Sequence, residues 1–440
     1  MSAPAVARVT PRVEVPPGAT TPQLLKQGMY ASVACALLFL TAVFSGARAH
    51  REAMQIIGRD TAPGIIAAQH VAAAIADMDA SAADMLLYSK DAQNQNASSE
   101  AYGARRKEAV EVLIAAAENI KYEDERQPIR NIALGLSSYA EQIQAARYMQ
   151  LTDPRGYIEL YRNAARTIDE KLLPAVEQLD HAKRSVFDRT YDDQRKWSSG
   201  TMLFLVLSSV ALCGVLIAVQ IFLTRRMRRV INPLLLTATG LAALSFFYMA
   251  ESFTNADHEL KVAKEDAFES IHSLWKARSV AYSANADESR YLLDSAHAGQ
   301  YEQAFLEKAD RVEKVDGSSG FLADEMKNVT FPGESEAAVA AITQFAEYKK
   351  IDQQIRALER SGQHVSAVHL CTGNSNKAFQ TFDNAVGETL QINQTAFDDA
   401  VKRGFDAVNH LEMVASILCG IIALLAVLGL LPRLREYSAA

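Results

Sequence analysis

The chain has 440 residues, of which 49% are apolar, 8% aromatic and 22% charged, with a formal net charge of −7. The apolar share excludes a disordered chain, the mild acidity argues against a nucleic-acid binder with its basic face, and four cysteines exclude a disulfide scaffold. Apolar residues concentrate in four blocks, Met29–Gly46, Met202–Leu223, Pro233–Ala250 and Met413–Leu431. Each holds about 18–22 uncharged residues, enough to cross about 30 Å of hydrocarbon at 1.5 Å per residue. The expected fold class is an all-α membrane protein with four transmembrane helices and two extracytoplasmic up-down four-helix bundles.

In chain order, residues 1–28 carry Pro4, Pro11, Pro16 and Pro17 and read as a disordered cytoplasmic tail. Residues 29–47 form the first span. A rival reading takes it as a signal peptide, with Ala47-Arg48-Ala49 as a cleavage site; the length of the stretch and the arginine at its middle position favour a retained helix. Residues 48–200 are the first outer segment. Ile75, Met78, Ala82 and Met85, and then Ile132, Leu136, Tyr139, Ile143 and Ala146, recur at helical steps. Helices are expected over 64–89, 102–120, 128–149 and from 157 into the second span, with polar breaks at 91–99 and 121–127. Pro174 should bend the last of them. The second span is 201–223, the cytoplasmic loop 224–230 and the third span 231–250. The second outer segment, 251–411, repeats the scheme, with a long helix to Ala298, a shorter one from Tyr301, and breaks at 316–320 and 331–333. The last span is 412–431, followed by a short tail, 432–440. Adding 206 to the first two apolar blocks lands close to the last two, and Met85-Leu86-Leu87 lands on Tyr291-Leu292-Leu293, so an internal duplication is expected.

Orientation follows from Thr224-Arg-Arg-Met-Arg-Arg-Val230, four arginines in a short loop that belongs on the cytoplasmic side. Both termini then return to the cytoplasm of a multi-pass plasma-membrane protein, in agreement with Arg8, Arg12, Lys26, Arg433 and Arg435. The cytoplasmic remainder has no room for a kinase, a cyclase or a methyl-accepting coiled coil, so the signal would pass to another protein. Arg225, Arg226, Arg228 and Arg229 suit anionic membrane lipids or an acidic partner, with a topology anchor as the plainer alternative.

In the second outer segment Trp275, Arg278, Tyr282, Asn285 and Ser289 fall on one helix face and form the candidate ligand- or partner-binding site. The positions 206 earlier are Gln69, Ala72, Ala76, Asp79 and Ala83, a face of mostly small residues. A buried Arg278 would need an acidic partner or an anionic ligand such as a carboxylate. Plain packing and a partner-facing surface are the competing readings. Cys35, Cys213 and Cys419 lie in spans, and Cys371 stands alone outside, where it could join a homodimer. No metal-ligand set, cofactor motif or catalytic constellation stands out, so no metal, no cofactor and no enzymatic activity are expected.

Span, helical bundle and span with an arginine-rich exit resemble the sensor modules of bacterial chemoreceptors and histidine kinases. Asn374–Phe382 and Ile392–Phe397 are similar to the last helix of such bundles. Arg228-Arg-Val-Ile-Asn-Pro-Leu234 looks like the opening of a HAMP signalling helix, but here it enters a third span. Two such modules in tandem resemble the actinobacterial GlnX-type family, with Trp275–Asp294, reading WKARSVAYSANADESRYLLD, similar to its corresponding helix. That resemblance implies a relay of amino-acid status from an extracytoplasmic solute-binding lipoprotein, specific for glutamate or aspartate, to a cytoplasmic serine/threonine kinase, protein kinase G. A direct small-molecule receptor and a structural or assembly protein of the envelope are the alternatives.

Overall fold

The computed structural model describes residues 21–88, 92–118, 120, 123–153, 156–227, 232–313 and 320–438. Helix accounts for 96% of it, and the described residues contain no strand, so the fold is all-α. In chain order the helices are α1 Thr21–Met54, α2 Ala62–Leu87, α3 Ala92–Glu118, α4 Arg126–Thr152, α5 Gly156–Thr167, α6 Leu173–Met227 and α7 Pro233–Lys261. They continue with α8 Glu269–Leu293, α9 Ala298–Glu313, α10 Phe321–Asn328, α11 Glu334–Arg360, α12 His364–Leu370, α13 Asn376–Asn409 and α14 Leu411–Ser438. Among the described residues four π-helical segments, Gln55–Thr61, Ile168–Leu172, Val262–Phe268 and Cys371–Ser375, join successive helices without breaking them.

These elements repeat in register. The first and third π-segments lie 207 residues apart at both ends, α4 and α11 lie 208 apart at both ends, and the second and fourth π-segments lie 203 apart. Repeated π-segments are informative because the conformation is rare and is retained mostly where function or packing requires it. Pro63 and Pro174 stand just after the two π-segments of the first half and remove a backbone donor there. The second half keeps both segments with no proline beside them. Pro174 therefore coincides with a local five-residue hydrogen-bond spacing, Ile168–Leu172, in the place of a simple bend.

Several boundaries differ from the sequence expectation. α1 begins at Thr21, so the end of the segment expected to be disordered is helical. The polar run Ala92–Ser99 opens α3 and is not a break, and Glu118 ends that helix. Asn and Ser are weak helix formers, but the neighbouring helices decide the outcome over propensity. The second half has an extra short helix, α10, where the first half has one continuous leg. The break at Phe331-Pro332-Gly333 is real, and Gly333 turns it with a φ of 83° that a side chain would strain.

One unit of the chain comprises residues 1–48, 198–254 and 409–440 and holds the apolar parts of α1, α6, α7 and α14. Among the described residues four helices are long and apolar enough to cross a membrane, which makes this a multi-pass membrane protein. Small residues let them approach closely: a Cβ at Gly46 would sit 2.4 Å from the Phe253 ring, and one at Gly28 2.8 Å from Val219. The Asn232 amide donates to the Gly429 carbonyl at 2.8 Å and closes α7 against α14. Leu37, Leu207, Val210, Leu244, Phe247 and Ile417 point outward, as lipid-facing positions would.

The second unit, Ala49–Trp197 with Asn255–Val408, contains both outer segments as one compact body. Each half keeps the up-down order of a four-legged bundle. The halves share core: Met54, Ile57, Phe187 and Tyr191 of the first pack in one cluster with Phe268, Phe345, Phe382 and Phe397 of the second. Phe187 and Phe268 face each other with ring centroids 4.3 Å apart. This buried area is what keeps the halves together, at roughly 25 cal/mol per Å² of apolar surface.

Candidate functional site

The seam between the halves is built on α2 and α8, the first outer helix of each. Its pairings join early residues to early and late to late: His70 with Trp275, and Asp79 and Asp84 with Arg290 and Ser289. α2 and α8 therefore run parallel, as equivalent helices related by a pseudo-twofold would. α2 can come close because its face is mostly alanine, with Ala72, Ala76 and Ala83 all buried. The last helices complete the seam reciprocally. α6 lies along α8 and the π-segment before it, through Asp180–His272, Arg184–Glu269 and Tyr191–Glu265. α13 lies along α2 and the π-segment before it, through Asn376–Asp84 and the packing of Val401 on Gly58. An interface in which each half gives the same surfaces to the other is the isologous arrangement of a dimer.

The five residues of the expected site all lie at or beside this seam. Trp275 packs against His70 with tilted rings 4.8 Å apart, and the Arg278 guanidinium sits 5.1 Å from the Trp275 ring. Arg278 has its acidic partner within the protein: it forks onto Asp383 of α13, with Nη2 donating to Oδ2 at 2.7 Å. Tyr282 is buried edge-on against Phe379. The Asn285 amide donates to the Tyr348 hydroxyl at 3.4 Å. Ser289 is fully buried and donates to Asp84 Oδ1 at 2.5 Å. The face is thus packed between helices, with Tyr282, Asn285 and Ser289 buried and Trp275 and Arg278 half-buried. Among the loop arginines, Arg225 stands exposed at the end of α6, Arg226 lies in the same helix, and Arg228 and Arg229 lie outside the described residues.

Sequence reasoning missed the charges that hold the seam. Arg290, 2% exposed, donates to Asp287 at 2.8 Å and to the Tyr161 hydroxyl at 3.1 Å, and it also pairs with Asp79. The Tyr139 hydroxyl donates to the other Asp79 oxygen at 3.0 Å, and Lys308 holds Asp287. Asp77 pairs with Arg105 of α3 at 2.7 Å. The available signal was three aspartates, Asp77, Asp79 and Asp84, spaced along an alanine-rich helix, since charges on such a helix are buried only with partners.

Openings flank the α2–α8 pair among the described residues. A groove of about 730 Å³ lies between α6, α8 and α10 and carries Asp180, Arg184, Glu269, His272 and Lys276. A crevice of about 340 Å³ lies on the other side, between α2, α3, α8 and α13, with Asp77, Asp84, Arg105, Tyr282, Asn285 and Asn376 in its wall. Both volumes fall in the range of small-molecule sites. Burial pushes the Asp77 carboxyl up to about 7 against the pull of Arg105, and raises Asp84. Burial likewise lifts Asp79 to about 6 despite Arg290, and Glu325 to about 8 beside the Glu334 carboxylate. Each of these three higher values lies above the ordinary value, so the folded state binds more protons than the unfolded one. Stability then falls as pH rises from about 4 through 6–8. His70, lowered by burial, opposes this below its ordinary value of 6.5. The melting temperature of the detergent-solubilised protein is expected to be higher at pH 5.5 than at pH 8, by roughly 5 °C. A flat or inverted profile in differential scanning fluorimetry would contradict these assignments.

Residues 53–192 match a family model described as the actinobacterial sensor domain. That span covers nearly all of the first outer half and none of the second. The match supports a sensor family of actinobacteria and a sensing role. No curated protein and no solved structure matches the chain.

Proposed function

We propose that the protein is a transmembrane sensor whose outer halves act as a covalently joined pseudo-dimer, and that a change at their seam is carried inward by helices the halves share with the membrane. One observation carries this reading. The first and last helices of each half, which build the seam, belong to helices of 67, 70, 61 and 72 residues that include the four apolar spans. A continuous helix transmits a small shift or rotation along its axis, and packed helix pairs favour discrete arrangements over gradual deformation.

The finer proposal is a relay without enzymatic activity or cofactor, in a plasma-membrane protein with cytoplasmic termini. The input is amino-acid availability presented by an extracytoplasmic solute-binding lipoprotein, and the output passes to a cytoplasmic serine/threonine kinase through the inner helix ends and the Arg225–Arg229 loop. The family resemblance supports this relay, and the sensor-domain match supports its sensing role. Because Arg278 is engaged by Asp383 and Tyr282 by Phe379, a docked partner would act on them chiefly through the helices that carry them. Affinity purification of the tagged full-length protein, with and without glutamate or aspartate, tests the relay by mass spectrometry. Recovery of a solute-binding lipoprotein and a kinase is the expected result, and clean protein without either would sink it. The 340 Å³ crevice favours a second reading, direct recognition of a small molecule.

A further inference from the structure

Seven aspartates are buried among the described residues of the outer unit, and six of them face a cation. Asp79 and Asp287 have Arg290, Asp294 has Arg162, Asp352 has Arg356, Asp383 has Arg278, and Asp180 has His272 with Lys276. Asp84 is the exception. Its two oxygens accept from neutral groups, the Ser289 hydroxyl at 2.5 Å and the Asn376 amide at 2.6 Å. It is 9% exposed, and what remains accessible lies in the wall of the 340 Å³ crevice.

A buried carboxylate held by neutral donors lacks the counter-charge that makes burial affordable. The rest of the crevice does not supply one. Arg105 is already committed, with Nε on Asp77 at 2.7 Å and Nη1 on Glu108 at 3.0 Å. Glu288 of α8, fully buried behind Ser375, is a carboxyl that burial raises well above its ordinary range, so it supplies no positive charge either. The aromatic wall of Tyr282 and Phe379 suits the apolar part of a cationic ligand and the face-on approach of its charge.

We propose that this crevice is a binding site for a small organic cation, whose ammonium group sits on Asp84 and bridges the two halves. The inference deepens the direct-recognition reading and does not depend on the relay. A ligand there touches α2 and α3 of the first half and α8 and α13 of the second, so it would favour seam arrangements that keep the four walls together. Affinity should fall on acidification, because burial raises Asp84 and Asp77 and both must shed protons to receive a cation. Arg105 and Glu108, and the Arg278–Asp383 pair beyond them, are the charged groups that act on Asp77, while Glu288, Cys371, Tyr88 and Tyr282 are titratable groups at or behind the crevice wall.

The test uses the full-length protein in lipid nanodiscs, with putrescine, ethanolamine and free lysine as cationic probes and 1,4-butanediol and glutarate as uncharged and anionic controls. Isothermal titration calorimetry is expected to show binding of at least one cation and of neither control. Asp84→Asn keeps the shape and should weaken that cation about tenfold or more. Ala101→Trp fills the crevice from its exposed edge, leaves Asp84 in place and should do the same. Thermal melts of both variants establish that they fold. No cation binding, or binding equally strong in both variants, overturns the site. Neither result bears on whether a lipoprotein and kinase are recovered, so the two proposals fail separately.

Discussion

Arg290→Met is expected to destabilise the outer unit by about 3–5 kcal/mol at pH 8, the cost of removing one partner from a buried ion pair. Arg290 belongs to α8 of the second half, but Asp79, Tyr139 and Tyr161 around it belong to the first. Removing the guanidinium leaves Asp287 with Lys308 and leaves Asp79 with only the Tyr139 hydroxyl. The carboxyl of Asp79, at about 6 with Arg290 present, then rises further, because the attraction that opposed burial is gone. A raised carboxyl is neutral below its new pKa, so the defect should shrink as pH falls toward 5.5. The double variant Arg290→Met with Asp79→Asn should recover most of the loss at pH 8, since it buries two neutral groups where the single variant buries a lone charge. Urea denaturation of the solubilised protein across pH measures all three. Hydrogen exchange locates the damage, which should appear in both α2 and α8. Wild-type stability of the single variant would mean that Arg290 is not a structural tie of the seam.

The same residue marks what a sequence can and cannot convey here. The four spans were legible because lipid requires long uncharged runs, and the helical period of Ile132, Leu136, Tyr139 and Ile143 was legible because those residues all face one core. The repeat was legible from spacing and became far clearer in the π-segments, which leave no composition signal. Pro63 and Pro174 hint at two of them and nothing at the other two. The candidate face from Trp275 to Ser289 lies along the seam, and what it faces could not be read. Arg278 meets Asp383 across 105 residues and Ser289 meets Asp84 across 205, pairings fixed by tertiary packing and not by local pattern. Equivalent positions in a duplicated chain need not keep equivalent chemistry. The alanines of α2 and the rings and amides of α8 are complementary because one is small where the other is large.

Lys183→Met is expected to cost a similar amount, about 3–5 kcal/mol, but with a different distribution. Lys183, 1% exposed on α6, donates to Glu125, 0% exposed at the turn into α4, at 2.7 Å. Its stem reaches that carboxylate across Gly64 of α2, where a Cβ would stand 2.7 Å from Nζ and 2.9 Å from Cδ. All three residues belong to the first half, so the pair ties α2, α4 and α6 of one bundle and does not cross the seam. Hydrogen exchange in Lys183→Met should therefore rise in α4 and the outer part of α6 and spare α9 and α11, whereas Arg290→Met should affect both halves. Lys183→Met with Glu125→Gln should restore most of the stability, because the stranded charge is gone. Gly64→Ala should cost less, about 1–3 kcal/mol, since the flexible end of a lysine can move aside before the backbone must. If the Lys183 defect spread evenly over both halves, the outer unit would behave as a single cooperative block. The seam could then not shift without unfolding, and a sensor that works by rearranging its halves would lose its physical basis. Damage confined to the first half would instead mean that the halves respond separately, and a seam between two such bodies can take up alternative arrangements.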